Sequence, residues 1–144
     1  MWLHVLAAVT WLGGLIYQAH ALAPAARRGS PGPFADAAAR GRPATWTAIA
    51  LVVLTGFYNV TMLGPLDRVM ERGAGLLLAG KFMLVLLAVA LAGQRDFAQV
   101  PRLRRALAAG DDPRPMLAAI AWLDRIVIIL GVAVVYLGLA ISRG

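Results

Sequence analysis

Four long apolar runs decide what this chain can fold into. They cover residues 2–23, 44–63, 74–93 and 116–141 and leave little sequence for anything else. About 22 helical residues rise about 33 Å at ~1.5 Å each, enough to cross a hydrocarbon core of about 30 Å. Inside lipid the backbone must satisfy its own N–H and C=O groups, which a helix does and an open strand does not. The runs therefore predict an all-α integral membrane protein, a four-helix up-down-up-down bundle making one transmembrane domain over residues 1–144. A hydrophobic content of 60% and a mean hydropathy of +0.74 agree with that class rather than with a soluble domain. The first run lacks a basic leader and exceeds the usual apolar core of a cleaved signal, so it reads as a span.

Charge sets the orientation. The net +7 comes from thirteen arginines and one lysine, most of them between the apolar runs. Loop one, 24–43, carries Arg27, Arg28, Arg40 and Arg42; loop three, 94–115, carries Arg95, Arg102, Arg104, Arg105 and Arg114. Loop two, 64–73, balances Arg68 and Arg72 against Asp67 and Glu71. The positive-inside rule then puts loops one and three in the cytoplasm of a bacterium. Both termini face the periplasm across the inner membrane. Arginines spread along loops fit topology and lipid headgroups, and nucleic acid is not expected as a partner. With no cysteine in the chain, disulfides, thiolate zinc sites, iron–sulfur clusters and covalent haem are excluded.

Against this apolar background the polar residues stand out by depth. On the outer side His4 opens the first span, Lys81 lies near the start of the third, and Tyr58, Asn59 and Met62 finish the second. With Met1, which offers an amine and a thioether, they form the strongest ligand-bearing layer. On the inner side His20, Arg95, Asp96, Asp124 and Arg125 share a second layer, read as structural, in which Asp96 can pair with Arg125 or Asp124 with Arg95. The two histidines are sixteen residues apart, about 24 Å of rise and about 160° of rotation, so one ion cannot bridge them within a chain.

Each of these residues also has a plainer account. His4 and His20 can be interfacial histidines solvated by headgroups, and Lys81 can snorkel outward. An aromatic belt accounts for Trp2, Trp46 and Trp122, while Trp11 sits in mid-span. Gly13-Gly14 suggests a close helix crossing. The scattered methionines suit packing better than a copper relay.

Leu3-His4, Trp11, Gly13-Gly14 and Tyr17 in the first span resemble the opening of the copper-resistance D (CopD) family. The resemblance continues through Thr55-Gly56 to Asn59, Gly80-Lys81, Asp96-Phe97 to Pro101-Arg102, and Leu123-Asp124-Arg125. The first-span spacing, with a lysine at position 81, is also similar to the HemJ-type protoporphyrinogen oxidases, although Ala79-Gly80 stand here where that type has a histidine. The resemblance implies a membrane protein that handles copper or a haem at its outer face, and the residues offer His4 with Met1, Met62 or Met83 for a copper ion. For haem b it implies Lys81, Trp11, Tyr58 and Asn59 as neighbours, and a bis-histidine haem would need two copies of His4 across a homodimer. A periplasmic copper chaperone or an electron-transfer partner goes with these readings, and a non-catalytic scaffold subunit is the third.

Overall fold

The computed structural model describes residues 2–62 and 74–143. Helix α1 (Trp2–Tyr17) runs through a π-helical turn (Gln18–Leu22) into α2 (Ala23–Arg28), making one continuous rod. Helix α3 (Gly32–Thr61) is the second rod; α4 (Ala74–Gly93), a second π-helical stretch (Gln94–Gln99) and α5 (Val100–Ala109) make the third; α6 (Arg114–Arg143) is the fourth. All four are long and apolar enough to span a membrane. Cross-contacts show successive rods antiparallel: His4 meets Thr55, Trp46 lies against Gly93, and Lys81 reaches Gly138. The bundle is thus up-down-up-down. The second connection, 64–73, and Met1 lie outside the described residues.

The rods are longer than the apolar runs, which corrects the reading of 24–43 and 94–115 as loops. The turn between the first two rods occupies only 29–31, around Ser30-Pro31. Pro33 falls in the first turn of α3, where a backbone N–H has no helical partner anyway. Pro43 sits inside α3 and removes one ladder bond, yet the helix continues because Phe34, Ala35 and Ala38 are buried against the neighbouring helices. Helix α5 continues the third rod as an amphipathic segment, burying Val100, Leu103 and Ala106 and exposing Arg102, Arg104 and Arg105. It ends where Gly110 takes φ +74° and the Asp111 N–H returns to the Ala106 carbonyl at 2.9 Å.

Both π-helical stretches precede a proline, Pro24 or Pro101, in the first turn of the following helix. Proline cannot donate to the carbonyl four residues back, and the residue before it bonds five back instead. The Ala23 N–H reaches Gln18 O, and the Val100 N–H reaches Arg95 O. The widened turns carry Gln18, Arg95 and Asp96.

Two apolar clusters hold the bundle. Trp11, Leu15, Ala48, Ile49, Ala88, Ala92 and Val127 fill its middle. Ala23, Phe34, Ala35, Val100, Leu103 and Ile120 fill its arginine-rich end. Many buried residues are alanines, which let helices approach closely where lipid gives no hydrophobic drive. Large side chains such as Leu54, Phe57, Leu76, Leu86, Ile129 and Tyr136 are exposed, as suits a lipid-facing surface. The close crossing is not at Gly13-Gly14, whose added Cβ atoms would meet nothing within 4 Å. It is at Gly131, where a Cβ would run into the Leu12 side chain.

Between the two clusters a buried polar network draws a residue from every rod. Arg95 donates from Nε to Asp124 Oδ1 at 2.5 Å, from Nη1 to Asp96 Oδ1 at 2.6 Å and from Nη2 to Gln18 Oε1 at 2.5 Å. Trp46 Nε1 donates to Asp96 Oδ2 at 3.0 Å. Of the two anticipated pairs, Asp124 with Arg95 forms, and Asp96 turns to Arg95 because the π-helical turn puts both on the inner face. Arg125 is exposed. Trp46 is likewise an inward donor rather than a member of an aromatic belt, whereas Trp2 and Trp122 are exposed.

Candidate functional site

His4 enters the bundle because α1 and α3 run antiparallel, which sets it beside Thr55, six residues before the end of α3 at Thr61. Its Nδ1 lies 2.9 Å from Thr55 Oγ1. The direction of that bond follows from Thr55's other contact. The Thr55 hydroxyl also bonds the Leu51 carbonyl one turn back, with Val52 O a longer alternative at 3.4 Å. A carbonyl only accepts, so the single hydroxyl proton goes to the backbone and Thr55 Oγ1 must accept from His4. His4 is thereby held as the Nδ1–H tautomer, with its lone pair on Nε2. This is how a metal-binding imidazole is commonly prepared, by a hydrogen bond on the nitrogen away from the metal.

The ring is also given room. A Cβ on Gly56 would stand 3.4 Å from His4 Cε1, so the absent side chain lets the imidazole lie close against α3. Lys81 reaches across from α4 to α6, its Nζ 3.2 Å from where a Cβ on Gly138 would be. It is near enough to His4 to act on it electrostatically. His4 and Lys81 are both half-buried.

The remaining candidates lie around this pair at different levels. Tyr58, Asn59 and Met62 follow Thr55 at the i+3, i+4 and i+7 spacing of one helical strip. They lie beyond the level of Trp2, where α1 begins in the described structure. Tyr58 and Met62 are accordingly 61% and 66% exposed, and Asn59 is half-buried. Met1 lies outside the described residues. Trp11 packs in the mid-bundle cluster about two turns below His4, 7% exposed, and so belongs to the core beneath the site. His20 is at the other end of the first rod, exposed, its Nδ1–H donating to the Ile16 carbonyl at 3.1 Å. Among the described residues no three of His, Cys, Asp or Glu cluster to hold a metal.

With this geometry in place, the comparison with known families is decisive for the class. The profile described as Copper resistance protein D matches residues 35–141, most of the 144-residue chain. The chain belongs to the copper resistance protein D family. No match is found among curated proteins or solved structures. The family match covers Trp46, Thr55, Gly56, Lys81, Arg95, Asp96 and Asp124, and begins after His4 and Gln18. The histidine's role therefore rests on its own geometry.

Sequence reasoning named His4 and Lys81 but gave Thr55 no part in holding the imidazole. The signal was the antiparallel register of the first two spans, which sets position 4 against position 55. Gln18 also went unnoticed; a lone amide in an apolar span was its only mark.

Proposed function

We propose that this family member binds a copper ion through His4 Nε2 at the end of the bundle where the chain begins, and serves copper binding, uptake or delivery there. The hydrogen bond from His4 Nδ1 to Thr55 carries the reading, because it leaves a neutral imidazole with one oriented lone pair at a bundle end. The donor set suits the cuprous state. One imidazole with a thioether from Met62 or Met1 makes a low-coordinate, soft site, and thioethers select Cu(I). The Lys81 ammonium adds to this preference, since its repulsion of a divalent ion is twice that of a monovalent one at equal distance. The arginines of the opposite end support a periplasmic position for the site in a bacterial inner membrane, where a copper chaperone could exchange metal with it.

The test is a Cu(I) titration against a competing chelator in detergent, on the wild type and on His4→Ala. One equivalent bound by the wild type and lost in the variant supports the proposal. Equal binding by both, or none by the wild type, overturns it. A Soret band that depends on His4 in protein made with ample haem would replace copper with haem b.

A further inference from the structure

The buried network at the middle of the bundle holds one guanidinium and two carboxylates. If both carboxylates are ionised, one negative charge is left over. Asp124 is 0% exposed, Asp96 3% and Arg95 4%, so this surplus sits inside the protein, where an uncompensated charge is strongly disfavoured.

The two carboxylates are not treated alike. Asp96 has a donor on each oxygen, Arg95 Nη1 on Oδ1 and Trp46 Nε1 on Oδ2. Those N–H groups only donate, so both Asp96 oxygens accept and the group is bound as an anion. Asp124 accepts from Arg95 Nε on Oδ1, while its Oδ2 is buried without a hydrogen-bond partner among the described residues. All three nitrogens of Arg95 are already engaged, with Asp124, Asp96 and Gln18.

A cation or a proton could cancel the surplus charge at that oxygen, and a water could only solvate it. A water or hydrated ion has no surface of Oδ2 to reach. The nearby cavity, about 20 Å³ and room for roughly one water, is lined by Trp11, Gln18, Thr45, Arg95 and Asp96, not by Asp124. A proton needs no volume. We propose that this network is a proton-binding site, in which the carboxylate pair bridged by Arg95 takes up one proton and holds it on Oδ2 of Asp124. Uptake converts Asp124 from carboxylate to acid and brings the cluster to neutrality.

Arg95 bonds Asp124 directly and Asp96 through its other side, while Gln18 from the first rod and Trp46 from the second complete the network by bonding Arg95 and Asp96. On its own helix Arg125 is exposed, and Arg42 is held over the Phe97 ring at 5.2 Å. The widened turns carry Gln18, Arg95 and Asp96, as π-helical turns at functional sites do. An ionisable group kept inside a membrane bundle with its partners in place is the arrangement of proton-carrying sites. This site is independent of the copper proposal.

The experiment is infrared spectroscopy of the full chain in lipid nanodiscs at neutral pH, in H₂O and D₂O. The wild type is expected to show the C=O stretch of a protonated carboxylic acid, shifted down in D₂O. Asp124→Asn keeps the shape of the neutral acid and is expected to fold and to lose the band. Asp96→Asn removes the surplus charge while leaving Asp124 in place, and is expected to lose it too. No band in the wild type, or a band that survives either substitution, overturns the proposal.

Discussion

Replacing Thr55 with valine isolates the hydrogen bond that prepares His4. Valine keeps the branched shape of threonine and removes only the acceptor 2.9 Å from Nδ1. The imidazole then loses the contact that fixes its tautomer and its rotation about χ2, and binding a metal at Nε2 must order both. Loss of such an outer partner costs 10- to 100-fold in metal affinity, or about 1.4–2.7 kcal/mol. Thr55→Ser keeps a hydroxyl that can bond the Leu51 carbonyl and accept from His4, and is expected to bind near the wild-type level. The fold should be little affected, because polar contacts between membrane helices average only about 0.6 kcal/mol. Competitive Cu(I) titration of the three proteins reads the effect directly. A valine variant that binds as tightly as the wild type would refute the argument that Thr55 prepares the site.

Other substitutions reach separate parts of the account. Lys81→Leu removes the charge held against Gly138 without adding a soft ligand and should narrow the preference for Cu(I) over Cu(II), read by titrating both oxidation states; a loss of Cu(I) binding would show that Lys81 assists the metal instead. Arg95→Met leaves buried Asp96 without its counter-ion and Asp124 without its donor and should lower unfolding stability in detergent by about 3–5 kcal/mol, followed by denaturant titration. Gly131→Ala puts a methyl against the end of the Leu12 side chain, which can turn aside, and should cost no more than about 1 kcal/mol in the same assay, whereas Gly13→Ala, which meets nothing among the described residues, should cost nothing measurable.

The fold was legible because apolar length alone demands spanning helices. The rod ends were hidden because Pro24, Pro43 and Pro101 look like breaks, and their turns were widened or bridged by packing that only the tertiary structure supplies. The arginine layer was legible in composition and in the pair Asp124 with Arg95, but not in the turn of Asp96 to Arg95: a π-helical turn rotates Arg95 and Asp96 inward together, which a uniform helical period does not anticipate. His4 could be singled out because a titratable group in an apolar span is costly. Thr55 could not, because a threonine in such a helix commonly bonds its own backbone, as this one also does. Gly13-Gly14 misled because small residues mark a contact only when a partner lies opposite, and here the partner glycine is on α6.

The most direct measurement is the ¹⁵N spectrum of protein labelled at the histidine ring nitrogens, without copper and with one equivalent of Cu(I), with His20→Gln assigning the two rings. The account predicts that His4 is the Nδ1–H tautomer before copper and that copper moves its Nε2 resonance while leaving Nδ1 protonated. An Nε2–H tautomer, a shift at Nδ1, or a His4 ring unaffected by copper would contradict it.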